Sequence, residues 1–299
     1  MPDVQEVYRS PHLADCDERA FVLLAVGVPS AIGADPDFYR VYVDEMHAAE
    51  ARVQLARYEA EQRHAAAIRA AAFAAPPPRR HPRAVLGAVL YGVVIAGIAF
   101  ALAIGIGPLD AFWRGDLDAA RVQGGEWWRA ITALTLHTDG PHLLANLAAG
   151  IWFGVLAGRQ LGPGVAWALI VLAASTSNLL ESLFGPAEHR AVGASTAVFA
   201  ALGVLAAHSW REHYPRARRW SVRWGPLVVG VILLGWFGSA GENTDVVAHV
   251  GGFLLGVLAG GIAALPAVRR VLDRVPQWAA GLAALGAVAI AWAIALLHG

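Results

Sequence analysis

Lysine is missing from this chain: all 23 of its basic residues are arginine. Acidic residues also number 23, so the formal net charge is +0 and nothing suggests nucleic acid as a partner. The single cysteine, Cys16, excludes an internal disulfide framework and suits a reducing compartment for its segment. Charge of either sign is scarce, at 15% of residues, where ordinary soluble proteins carry about a quarter. The opening Met-Pro-Asp is not followed by a basic stretch and an apolar run, so a cleaved signal peptide is not expected.

Apolar residues are abundant instead. They make up 57% of the 299 residues and dominate from Ala84 onward, while residues 1–83 hold much of the charge. A membrane-spanning helix needs roughly 20 predominantly apolar residues. Ala84–Gly107 meets that need, behind Arg79, Arg80 and Arg83. Further candidate spans are about 142–158, 164–183, 195–209, 226–240, 246–265 and 277–297, the fourth and fifth of the seven being short. Arginine-rich loops stay cytoplasmic. With the N-terminus inside, the inside segments hold Arg159, then Arg211, Arg216, Arg218, Arg219 and Arg223, then Arg269, Arg270 and Arg274. The opposite loops hold Glu188, Glu242 and Asp245, with Arg190 against the trend. The fold class expected is an all-α polytopic membrane protein, N-terminus in and C-terminus out.

Ahead of the spans, residues 1–75 read as a small cytoplasmic module. An apolar run, Ala20–Val28, ends at Pro29, and Ala, Glu and Arg alternate in a helix-favouring pattern from about Val43 to Ala72. The stretch from Ser10 to Gln62 resembles small α/β modules that precede some bacterial membrane proteins, although the helix reads equally well as a solvated spacer. Residues 76–83, rich in Pro and Arg, form a stiff basic linker. The loop at about 108–141 is long for a bundle and carries Trp113, Trp127 and Trp128, which suits an interfacial position.

Polar groups inside spans are expensive and mark function or a paired contact. His142 and Asn146 lie one turn apart near the start of the second span. Gly193-Ala-Ser-Thr196 opens the fourth, and His249 stands near the start of the sixth. The topology brings all three places to one membrane depth. A serine hydroxyl becomes a nucleophile when a neighbouring base takes its proton, and histidine titrates in the right range. Ser195 at a helix start offers its own N–H to a developing oxyanion, and His142 and Asn146 offer side-chain donors. No carboxylate lies at the matching depth in these spans, which favours a Ser–His dyad over a triad. Glu181, near the outer end of the third span, has no assigned role. Each feature also has an ordinary explanation. Ser195 and Thr196 fit a helix cap, His249 an interfacial hydrogen-bonding group, Asn146 a bridge between helices, and Gly252-Phe-Leu-Leu-Gly256 close helix packing.

The motifs occur in an order that resembles the rhomboid family of intramembrane serine proteases, over about residues 84–265. Gly125-Glu-Trp-Trp-Arg129 matches the Glu-x-Trp-Arg element of the family's first loop. His137 and His142-Leu-Leu-Ala-Asn146 match the second span, Gly193-Ala-Ser195 the Gly-x-Ser nucleophile motif, and Ala248-His249 with Gly252 and Gly256 the sixth span. The gap of about fifty residues from Ser195 to His249 agrees as well. The resemblance implies a rhomboid-like six-helix core over 84–265 around a water-filled recess, with a seventh span within 266–299. It implies Ser195 as nucleophile and His249 as base, with His142, Asn146 and the Ser195 amide holding the oxyanion. Glu126 and Arg129 would hold the first loop against the core, and His137 would order the same region. Substrates would be single-span membrane proteins in the bilayer, and no metal or cofactor is implied.

Two positions depart from the family pattern. Thr196 replaces the usual glycine after the serine and is stiff at χ1, so it is expected to crowd the oxyanion pocket or narrow substrate choice. Phe199 stands where tyrosine is frequent. Two rival readings compete. A catalytically inactive rhomboid-like protein would bind membrane clients, although such members usually lack the serine or the histidine. A metal-dependent membrane enzyme using His137, His142 and His249 would lack both a His-Glu-x-x-His arrangement and a carboxylate at that depth. The arginine-, alanine- and glycine-rich composition points to a high-GC bacterium, and hence to a plasma membrane.

Overall fold

A computed structural model describes residues 4–74, 81–106, 108, 110–213, 220–238 and 245–298. Most of the Pro/Arg linker, Arg216, Arg218, Arg219, Glu242, Gly107 and the end of the fifth expected span lie outside the described residues. The chain forms two units, Met1–Pro76 and Pro77–Gly299.

The first unit is an α/β module. Strand β1 (Val4–Ser10) leads to helix α1 (Leu13–Ala25), then β2 (Ala31–Ala34), β3 (Tyr39–Asp44) and helix α2 (Glu45–Ala74). The antiparallel sheet has the order β1-β3-β2, with a register shift between Glu6 and Tyr8. Val41 and Val43 alternate inward from β3 onto Cys16 and Leu23 of α1. Only the start of α2 joins that core, through Ala48, Ala51 and Leu55. Its middle turns are mostly exposed. The helix is therefore both a packing element and a solvated one. Cys16 is fully buried, which pushes its thiol pKa up and leaves it inert.

The second unit is helical. It begins with α3 (Ala84–Ala103), whose Val85, Leu86, Val89, Val93 and Phe100 face outward. Short pieces fill the following loop: α4 (Ala111–Gly115), β4 (Leu117–Asp118), α5 (Ala119–Gln123), α6 (Arg129–Thr132) and a 3-10 turn, Ala133–Thr135. Helix α7 (Gly140–Leu161) starts where the Asp139 carboxylate accepts the His142 N–H at 2.7 Å. It stops at Gly162, whose φ of +88° suits glycine, and Pro163 then opens α8 (Pro163–Phe184). After β5 (Arg190–Ala191) come α9 (Ser195–His213), α10 (Trp220–Gly238), α11 (Val246–Ala263), α12 (Pro266–Leu272) and α13 (Gln277–His298).

Among the described residues five helices, α3, α7, α8, α11 and α13, are long and apolar enough to cross a membrane, where seven spans are expected from the sequence. Helix α9 differs because it lies among the others. Ala200 and Val204 have no exposure, and Ala201, Leu202 and Ala207 have almost none. A helix enclosed by protein needs small residues for close approach more than large ones for lipid, and its last turns carry His208, Arg211 and Glu212.

Helices α9 and α11, which run in the same direction, approach closely along their length. A Cβ added to Gly252 would stand 2.5 Å from the Thr196 carbonyl oxygen. One on Gly256 would strike the Ala200 carbonyl, and one on Gly260 the Val204 carbonyl. Each four-residue step along α11 meets the same step along α9, so this glycine seam fixes the register between the two helices.

Helix α13 is bound into the bundle. The Gln277 side-chain oxygen accepts the N–H groups of Gly164 and Val165 at 2.9 and 3.1 Å, and its amide donates to the Leu161 carbonyl at 3.3 Å. One side chain thus satisfies backbone groups at the end of α7 and the start of α8. Further along, the Trp292 indole donates to Thr135 Oγ1 at 3.0 Å, and its ring lies over Gly115.

Candidate active site

The segment before α9 is held on both sides. Strand β5 pairs with β4 through Leu117↔Ala191 and Asp118↔Arg190. The Gly193 N–H donates to the Ala133 carbonyl at 3.0 Å. Gly193 has φ +140°, a conformation that disfavours any other residue. A Cβ there would lie 2.9 Å from Cε1 and Nε2 of His142 and 3.5 Å from Ser195 Oγ. The absent side chain is what lets the His142 ring and the Ser195 hydroxyl border the same point.

His142 is oriented by its surroundings. Its Nδ1 lies 3.2 Å from Thr138 Oγ1, and its ring meets that of His137 edge-on, with centroids 5.1 Å apart. His137 in turn accepts the Ala194 N–H at 3.5 Å. Burial, helped by the nearby His142, pushes the His137 pKa down to about 4, so this acceptor is neutral at physiological pH.

His249 is 7% exposed, and its ring lies 4.5 Å from that of Phe199, one turn along α9 from Ser195. The glycine seam puts His249 beside the start of α9: Gly252 faces Thr196, and His249 precedes Gly252 by three residues. The structure therefore brings Ser195, His142 and His249 to one end of the bundle.

Two expected groups sit differently. Asn146 is buried, but its amide donates to the His142 carbonyl of its own helix at 3.0 Å. Thr196 turns its Cγ2 toward α11, 3.0 Å from where a Gly252 Cβ would be, so its bulk is taken up in the seam.

Glu126 and Arg129 lie in the loop between α3 and α7. Arg129 is fully buried and pairs with Glu126 at 2.6 Å and Asp116 at 2.8 Å. It also donates to the carbonyls of Trp113 and Asp116, both at 2.9 Å. Asp116, which sequence reasoning missed, bridges Arg129 and Arg190, the latter at 2.6 Å. That pairing, and the Trp113 ring under the Arg190 guanidinium, explain the arginine that ran against the charge trend. An acidic residue amid tryptophans and arginines was the available signal.

A polytopic helical bundle with a serine and two histidines gathered at one end defines the class. The Rhomboid domain model matches residues 124–265. The chain is 32% identical to the putative rhomboid protease YdcA of Bacillus subtilis, over 46% of this chain and 69% of that protein. It is also 32% identical to the rhomboid protease GluP of Bacillus subtilis, over 51% of this chain and 29% of that one. With rhomboid-like protease 2 of Toxoplasma gondii it shares 28% identity, over 60% of this chain and 65% of the other. The match spans less than two thirds of the latter two proteins. The chain belongs to the rhomboid family and is a multi-pass membrane protein.

Proposed function

We propose that this protein is an intramembrane serine endopeptidase that cuts single-span membrane proteins. Ser195 attacks the scissile carbonyl carbon as the His249 imidazole takes its hydroxyl proton. The carbonyl oxygen becomes the oxyanion, held by the Ser195 N–H at the start of α9 and by the His142 ring, with Asn146 in a supporting position. His249 returns the proton to the leaving amine, and water then releases the acyl group from Ser195 by the reverse sequence. The observation that carries this reading is the shared space of His142 and Ser195 Oγ over Gly193.

In this reading α3, α7, α8, α9, α10 and α11 form the six-helix core, α13 is a seventh span, and residues 1–75 lie in the cytoplasm of a bacterium. The arginine distribution supports that orientation. Reconstitution with single-span reporter proteins tests the activity, with mass spectrometry locating the cut. Wild type should release fragments that Ser195→Ala does not. Equal fragments from both would reject the proposal.

A further inference from the structure

Three side chains with no part in that reaction converge beside the start of α11. Glu181 comes from the last turn of α8, His189 from the residue before β5, and Asp245 from the N-cap of α11. One ligand-capable atom of each lies within 4.8 Å of the other two. His189 Nε2 stands 3.1 Å from Asp245 Oδ2 and 3.7 Å from Glu181 Oε1. The Glu181 side chain is 9% exposed, yet its Oε2 makes no hydrogen bond among the described residues. His189 Nε2 and Asp245 Oδ2 face each other at 3.1 Å without hydrogen-bond geometry, and neither has another hydrogen-bond partner among the described residues. Among the described residues, neither carboxylate has an arginine partner.

Buried acceptors without donors are costly, and two carboxylates this close repel one another. A cation between them removes both penalties. At bonds of about 2.0–2.2 Å, neighbouring ligands of a tetrahedral ion sit about 3.4 Å apart. The two measured separations bracket that figure. Calcium and magnesium favour all-oxygen shells, whereas one imidazole with two carboxylates suits zinc and similar ions.

We infer that Glu181, His189 and Asp245 bind a divalent cation of the zinc class, with a fourth position left to water. Its consequence rests on the protease reading above. Asp245 also caps α11, its Oδ1 accepting the Ala248 N–H at 3.0 Å and its carbonyl the His249 N–H at 3.2 Å. The ion ties α8 and the turn before β5 to the helical turn that carries His249. Its role is positional.

The test is calorimetric titration of Zn²⁺ into the full chain, without a polyhistidine tag, in detergent after chelator treatment. Glu181→Gln, His189→Gln and Asp245→Asn are compared with wild type. Asparagine remains a good N-cap, so the last variant keeps the helix start. Wild type should bind one equivalent, each variant should bind roughly tenfold more weakly or worse, and Zn²⁺ should raise the wild-type Tm reversibly with EDTA. Absence of saturable binding, or three variants that bind like wild type, overturns the inference and leaves a proton shared between the carboxyls. Because these readouts are binding and Tm, failure here is distinct from failure of the serine chemistry.

Discussion

Gly252 of α11 faces the carbonyl of Thr196 on α9 so closely that a methyl group would stand 2.5 Å from that oxygen. The obstacle is backbone, which has nowhere to yield. Gly252→Ala should cost about 1–3 kcal/mol, as overpacking does, and should lower activity by displacing His249 from Ser195. Thermal unfolding in detergent, paired with active-site labelling, checks both effects.

Phe199 backs the His249 ring at 4.5 Å. Phe199→Ala should leave the helices paired but free the imidazole to swing away. A misplacement of about 1 Å costs roughly a hundredfold in rate, so labelling should slow by one to two orders of magnitude. Phe199→Tyr, which keeps the ring, should retain most of it.

Arg129 is fully enclosed and shared between Glu126 and Asp116. Arg129→Met would leave the buried Asp116 carboxylate to Arg190 alone and would take the donor from the Trp113 and Asp116 carbonyls, a loss at the low end of the about 3–5 kcal/mol of a broken buried pair. Asp116→Asn should destabilise too, by leaving Arg129 and Arg190 less well matched. Chemical denaturation of the reconstituted protein measures both changes.

His137 gives a pH dependence of defined sign. Its folded pKa of about 4 lies below the ordinary value of 6.5, so the unfolded chain takes up this proton first. Its contribution is complete above about pH 6.5 and is lost as pH falls from there toward 4. His137→Gln should flatten the fall in Tm across that window. An unchanged slope would show that other groups dominate.

Much of the helical unit was legible because apolar length is a strong signal. α3, α7, α8, α11 and α13 all lie where apolar runs occur. α9 was harder to read as a span because a helix walled by protein no longer needs lipid-facing side chains. Family membership was legible from short motifs in the right order. The partnerships were not. Asp116 meets Arg129 and Arg190 only after the loop folds, Gln277 reaches back to Gly164, and Glu181 meets His189 and Asp245 from three separate segments. Nothing in the local spacing of these residues marks them as neighbours. The metal reading weighed from sequence used His137, His142 and His249, whereas the ligand-like cluster lies elsewhere.

The proposed chemistry stands on an activated serine at residue 195. The most direct measurement is covalent labelling of the purified protein by a fluorophosphonate probe, with intact mass and peptide mapping. A single adduct on Ser195 is expected, lost in both Ser195→Ala and His249→Ala. A folded wild type that takes no label, or one labelled equally in His249→Ala, would contradict that chemistry.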